Sequence, residues 1–368
     1  MKKVLMIVLL SSLALTGCNT TIAKLKREEK PSQTAVKSEP EPEPKPVIVT
    51  QGIVTWDPIT YESKSTTLYI KDLKDTFTEV QYHVWRMADG TGSKKVFSSK
   101  DRANNFALPL SLQAFDFKRG EYQIETVGLK EDNQQVPLAK SAITFQQYVP
   151  ILMYHGIDEY HGHGIKSLFV SPAKFEAQMK YLKDNGYTLL TFENWSDINK
   201  VNKPIFITFD DGLKDNINAL AIFQKLKDDH FQPTATEYLF PNALNTPGFL
   251  TTDDVKMMAN SGIFSVQSHT LNHANLPFVP NMEEEIRDSK TRIEEITGKP
   301  VISIAYPVGL YDDRVVETTK KYYQFAVTTN KGQFIEKNKP NEYLLMERVG
   351  VFDFTTLDQF IASVREKK

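Results

Sequence analysis

Cysteine is all but absent: Cys18 is the only one in 368 residues. The folded part of the chain therefore has no disulfide framework, no thiol nucleophile and no cysteine-rich zinc knuckle. Any metal it holds must be bound by imidazole and carboxylate. Net charge is equally scarce, with 44 basic against 46 acidic side chains, which leaves no basic field for nucleic acid. No His-Glu-x-x-His string occurs, which speaks against a metalloprotease. The strongly apolar run from Val4 to Leu15 is too short to span a bilayer comfortably.

That run follows Lys2 and Lys3 and leads into Leu15-Thr16-Gly17-Cys18. A basic flank, a short apolar core and small residues predict a secretory leader over 1–17. Leu-Thr-Gly-Cys also resembles the lipobox of bacterial lipoproteins. This resemblance implies cleavage before Cys18, lipidation of Cys18, and tethering to the membrane at the extracellular face of the cell. Several acyl chains on one residue meet the requirement for more than one anchor. Residues 18–47 are polar and end in Glu39-Pro40-Glu41-Pro42-Glu43-Pro44-Lys45-Pro46, a flexible but extended linker.

Over 48–146 the pattern changes to short strands, among them Thr66–Ile70, Glu79–Trp85, Tyr122–Val127 and Ser141–Phe145, parted by turn residues such as Arg119-Gly120. They predict a small all-β sandwich. The Val84-Trp85 and Gly120–Ile124 strands look like an immunoglobulin-like repeat of Gram-positive surface proteins, and a spacer is the favoured role over glycan binding. From 147 to 368 strands alternate with amphipathic helices. Strand candidates are 150–155, 187–192, 204–210, 233–240, 263–268, 301–307, 324–329 and 344–351. The fold class expected is α/β, an irregular barrel of seven or eight parallel β/α units.

Two strings in this region carry the chemistry. Thr208-Phe209-Asp210-Asp211 and His269-Thr270-Leu271-Asn272-His273 each follow a run that reads as a buried strand, and α/β folds gather reactive groups at the carboxyl ends of such strands. Asp211, His269 and His273 form a plausible set of three metal ligands that leaves positions open for water and substrate. Asp210 is adjacent but projects differently, so it is free to act as base. Zinc is the default metal, with cobalt, nickel and manganese as alternatives. Of the other histidines, His83 and His230 read as structural, and His161 and His163 as members of a Gly-rich surface loop. Trp195, Tyr238 and Phe240 suit sugar stacking and aromatic core packing about equally.

At these residues the chain resembles the NodB-homology polysaccharide deacetylases, carbohydrate esterase family 4, over about 149–351. The resemblance implies Asp210 as base, with Asp211, His269 and His273 as ligands. Ala305-Tyr306-Pro307-Val308-Gly309 matches a third motif that walls the substrate groove. There the implied oxyanion donor is the N–H of Tyr306. Two departures matter. The third motif usually opens with an Arg that orients the base, and here that place is Ala305. The usual C-terminal Leu-x-His, source of the general acid, is replaced by Met346-Glu347-Arg348-Val349. Both departures, with Leu152-Met153-Tyr154-His155-Gly156, resemble the poly-β-1,6-N-acetylglucosamine deacetylase branch. That likeness implies His155 as the acid, and Arg348 as the group that stands in for the missing Arg.

The expectation is a metal-dependent hydrolase that removes N-acetyl groups from N-acetylglucosamine units of an envelope or extracellular polysaccharide, working as a monomer. An O-deacetylase of an acetylated glycan and a non-catalytic glycan-binding lipoprotein are the alternatives.

Overall fold

A computed structural model describes residues 51–367. The leader, Cys18 and the Pro/Glu-rich segment to residue 47 lie outside the described residues.

Seven strands come first: β1 (Ile53–Trp56), β2 (Ser65–Lys71), β3 (Glu79–Arg86), β4 (Lys95–Ser99), β5 (Leu108–Ser111), β6 (Gly120–Leu129) and β7 (Gln135–Phe145). They form two antiparallel sheets, ordered β1-β2-β5 and β4-β3-β6-β7. Strict alternation explains why. Along β6 every second side chain is buried, as a strand with one face on a core requires. Leu68, Ile70, Tyr82, Val84, Tyr122 and Ile124 meet in one apolar cluster.

Eight further strands make one parallel sheet: β8 (Ile151–Tyr154), β9 (Thr188–Leu190), β10 (Pro204–Phe209), β11 (Ala235–Leu239), β12 (Phe264–Ser268), β13 (Ser303–Ala305), β14 (Phe325–Lys331) and β15 (Met346–Gly350). β15 pairs with β8 and β10 with β11, which closes β8-β10-β11-β12-β13-β14-β15 into a parallel ring. β9 stays outside the ring. It pairs with Pro204–Phe206, the first half of β10, while Thr208 and Phe209 pair with β11. The expected seven or eight units thus resolve into a seven-strand barrel with one splayed extra strand.

The helices are α1 (Pro172–Asp184), α2 (Ile217–Leu226), α3 (Thr252–Asn260), α4 (Met282–Thr297), α5 (Asp313–Thr319) and α6 (Leu357–Val364). Their ends follow local chemistry. Thr251 and Asp254 form a reciprocal capping box at α3, and Gly298 ends α4 in the left-handed conformation, φ 67°. Two apolar layers fix the barrel. Leu152, Ile205, Ile207, Phe209 and Leu239 face the helices. Ile151, Phe206, Tyr238, Ala305, Val327 and Met346 fill the interior, and Phe192, Trp195 and Phe334 belong to the same cluster.

A polar seam joins the β module to the barrel. Arg86, 1% exposed, donates to the carbonyl of Arg119 (2.7 Å), Asn202 Oδ1 (3.1 Å) and Gln147 Oε1 (3.1 Å). Gln147 in turn donates to the carbonyl of Ile198 at 2.6 Å.

Candidate active site

All the expected site residues lie just beyond, or near the carboxyl end of, a barrel strand. Asp210 and Asp211 follow β10, His269 and His273 follow β12, His155 follows β8, and Arg348 stands on β15. The ring brings Asp211, His269 and His273 together, with one potential ligand atom from each lying within 4.8 Å of the others. His269 Nε2 is 3.5 Å and His273 Nε2 3.4 Å from Asp211 Oδ1.

The backbone is bent to achieve this. Asp211 (φ 80°), Thr270 (φ 65°) and His273 (φ 56°) all occupy the left-handed region, where non-glycine residues persist only if the surroundings hold them. The histidine loop is held by its neighbours. His269 N–H donates to the carbonyl of Leu239 at 2.8 Å. Buried Glu285 of α4 accepts from the Asn272 N–H (2.9 Å) and the Asn272 side chain (2.6 Å). Thr270 Oγ1 accepts from the Ala274 N–H at 3.1 Å.

The second nitrogen of His269 is also engaged. Nδ1–H donates to the carbonyl of Ala305 at 2.8 Å, which leaves Nε2 with its lone pair directed at the cluster, the usual arrangement for a metal-ligating imidazole. Burial, with His269 adding to it, pulls the His273 imidazole below its ordinary value. Neutral imidazole is the form that ligates. One hard oxygen and two imidazole nitrogens fit zinc and its borderline neighbours.

Asp210 is 3% exposed and stands apart from this ligand set. Arg348, 1% exposed, meets it with both prongs, Nη1 to Oδ1 and Nη2 to Oδ2, each at 2.7 Å. Arg348 is itself fixed, donating from Nε to the carbonyl of Thr328 (2.8 Å) and from Nη1 to Thr208 Oγ1 (3.1 Å). Burial alone would raise the Asp210 carboxyl, but the guanidinium outweighs it and holds the group at about 2. His155 is close enough to feel Asp210, Asp211, Arg348 and His269. Burial pulls its imidazole below the ordinary value although the aspartates oppose the fall. Its Nδ1 is buried with no protein partner.

The groove-wall expectation needs correction. The N–H of Tyr306 donates to the carbonyl of Val327 at 3.1 Å, continuing the β13–β14 ladder, so it is not available to an oxyanion. Its side chain is fully buried in the layer facing the helices. Pro307 is buried as well, and Arg348 is turned to Asp210 rather than to the groove. The exposed groups of this turn are Val308, left-handed at φ 52° and 63% exposed, and Leu310.

Tyr238 and Trp195 belong to the barrel interior. Phe240, in contrast, packs 5.4 Å from the His273 ring. His161 pairs with Asp158 at 3.4 Å on the surface, and neither it nor His83, His163 or His230 joins the ligand cluster.

The fold and the site define a barrel with a candidate Asp-His-His centre at one mouth, and known proteins share the fold. Residues 197–325 match the family model described as polysaccharide deacetylase, a span that holds both aspartates and both histidines but neither His155 nor Arg348. The crystal structure of a polysaccharide deacetylase from Bacillus cereus is 59% identical, with a TM-score of 0.84, over 86% of this chain and 100% of that one. The chain belongs to the polysaccharide deacetylase family. A Bacillus subtilis relative, YxkH, is 35% identical over 193 residues, covering 50% of this chain and 65% of its own length, just short of two thirds. A poly-β-1,6-N-acetyl-D-glucosamine N-deacetylase from Staphylococcus aureus is 25% identical over 194 residues, 46% of this chain and 67% of that one.

Proposed function

We propose that this chain hydrolyses the N-acetyl groups of N-acetylglucosamine units in a cell-envelope or extracellular polysaccharide, and does so with a divalent metal, zinc by default. The observation that carries the reading is the division of labour between adjacent aspartates. Asp211 converges with His269 and His273, while Asp210 is held aside, ionised, by Arg348.

A metal held by Asp211, His269 and His273 would polarise the acetyl carbonyl and acidify water at the site. Asp210 accepts the proton of the attacking water, and its low pKa keeps it in the basic form. As the new C–O bond forms and the C–N bond breaks, His155, protonated with the proton that Asp210 took from the water, passes it to the departing sugar amine, and acetate is the second product. With the Tyr306 N–H committed to the barrel ladder, that group supplies no donor for the oxyanion.

The match to the Staphylococcus aureus enzyme supports an N-acetylglucosamine polymer as substrate, as does a histidine placed at the end of β8. Tethering through a lipidated Cys18, supported by the Leu15–Cys18 string, would set the barrel beside such a polymer outside the cell. The test is acetate release from N-acetylated and O-acetylated oligosaccharides assayed side by side. Release from the O-acetylated set alone would favour an ester substrate. A metal-loaded protein that binds N-acetylated glycans without turnover would favour a non-catalytic role.

A further inference from the structure

β11 carries an acid in an otherwise uncharged strand. Glu237 shares its side of the strand with Ala235 and Leu239, which pack in the layer between barrel and helices, and it is fully buried. Its register partner on β10 is Phe209, the residue before Asp210, so it lies behind the aspartate turn. Two groups just downstream of the aspartates reach it. Asn216, also fully buried, donates from Nδ2 to both carboxyl oxygens at 3.0 and 3.2 Å. The backbone of Gly212 also borders that carboxyl. Asn216 is the residue through which the chain enters α2.

The turn so gripped is a demanding one. Asp211 and Gly212 are consecutive left-handed residues, at φ 80° and 70°. A Cβ on Gly212 would lie 2.8 Å from the Cβ of Leu239, so the backbone presses directly on β11. The carbonyl of Gly212 is taken by the N–H of Leu250 at 3.0 Å. Remove the acceptor behind the turn and the Asn216 side-chain amide becomes a buried donor without a partner, an unfavourable state that the chain can relieve by letting the left-handed pair relax. Asp211 would then leave the line to His269 and His273.

We propose that Glu237 is a positioning residue for the metal centre: by gripping Asn216, just beyond the Gly212 that presses on β11, it fixes the left-handed turn that aims Asp211 at the two histidines. It works as a neutral acid. Burial pushes its carboxyl well above the usual range, and the nearby aspartates add to the rise against the opposing Asn216 hydrogen bond. A neutral acid keeps these hydrogen bonds without setting a third negative charge beside Asp210 and Asp211. The inference rests on the metal reading above.

The test uses the full chain, with Zn2+ competed against a chromophoric chelator and with circular-dichroism melting of the metal-free protein alongside. Glu237→Gln keeps a neutral acceptor and should bind Zn2+ as the wild type does. Glu237→Leu should remain folded but bind roughly 10- to 100-fold more weakly, the range for residues that orient metal ligands. Asn216→Ala, which frees the other end of the grip, should weaken binding in the same direction, and it decides the matter if the Leu variant does not fold. A folded Glu237→Leu or Asn216→Ala protein with wild-type affinity overturns the proposal. So does a Gln variant as weak as the Leu variant. A wild-type chain that takes up none of Zn2+, Co2+, Ni2+ or Mn2+ overturns the metal reading, and this inference with it.

Discussion

Arg348 and Asp210 form a two-pronged ion pair with both N–O distances at 2.7 Å and both side chains almost wholly buried. A buried pair of this kind is strongly destabilised when one partner is removed, by about 3–5 kcal/mol, because the other is left uncompensated. Arg348→Met should therefore lower stability by an amount of that order. The pair also sets the state of the base. With the guanidinium gone, burial dominates and the Asp210 carboxyl rises from about 2. The acid limb of kcat should move upward in pH, and turnover at neutral pH should fall. A Met variant whose pH profile overlays that of the wild type would separate Arg348 from the base.

Asp210→Asn removes the proton acceptor while leaving Asp211, His269 and His273 in place. Acetate release should fall by about 10²- to 10⁴-fold, the usual contribution of a positioned base, with metal content by elemental analysis near that of the wild type. Retained turnover would assign the base elsewhere.

Metal binding should be visible as stability. A ligand that binds only the folded state at 100 times its Kd adds about 2.7 kcal/mol, so Zn2+ should raise the melting temperature and a chelator should reverse the rise. His273→Ala, which removes one ligand of the cluster, should abolish most of this response. An unchanged zinc response in that variant would place the ion at some other site.

His155 bears on the pH dependence of stability in the same direction as Asp210, since both carry depressed folded-state values. Burial depresses its folded-state pKa below the ordinary histidine value of 6.5, so the unfolded chain takes up a proton first as the pH falls. Stability then declines with acidification from about pH 6.5 down to the depressed value. His155→Gln should flatten the urea midpoint against pH in that window and reduce kcat, with Zn2+ affinity kept. A midpoint profile unchanged by the substitution would mean that His155 is not buried as a neutral group.

Much of this architecture could be read from the chain because its signals are local. The eight parallel strands lie between helix-start and turn residues, and all but β14, which runs on to Lys331 past its expected end at 329, fall inside their expected spans. β1, β4 and β5 were not expected. They are short stretches of four or five residues, and Pro109 sits in the middle of β5. Closure was ambiguous for another reason: whether β9 enters the ring depends on which half of β10 it pairs with, and no single segment encodes that.

The site divides in the same way. Asp210, Asp211, His269 and His273 announce themselves by residue type and by following strands. Arg348 drew notice through an absence at 305, and the alternation of β15 buries it on one side together with Met346. Tyr306 failed because availability of an N–H is a matter of register: β13 and β14 are paired far enough along to consume it. Glu285 and Glu237 were missed outright. The one available signal was a lone acid within the uncharged run Ala235–Leu239, which no local rule connects to a turn over twenty positions upstream.

His269 is steered by the main-chain oxygen of residue 305, and main-chain oxygens are supplied by every amino acid. The side chain at 305 has thereby been relieved of any part in chemistry and needs only to be small enough for the barrel's packed lumen. The cationic post that faces Asp210 stands two staves further round the ring. A closed palisade of strand tips permits such relocation, since a guanidinium can enter the same central space from any stave. Variants in this lineage are thus better compared by what reaches the centre than by which strand it comes from.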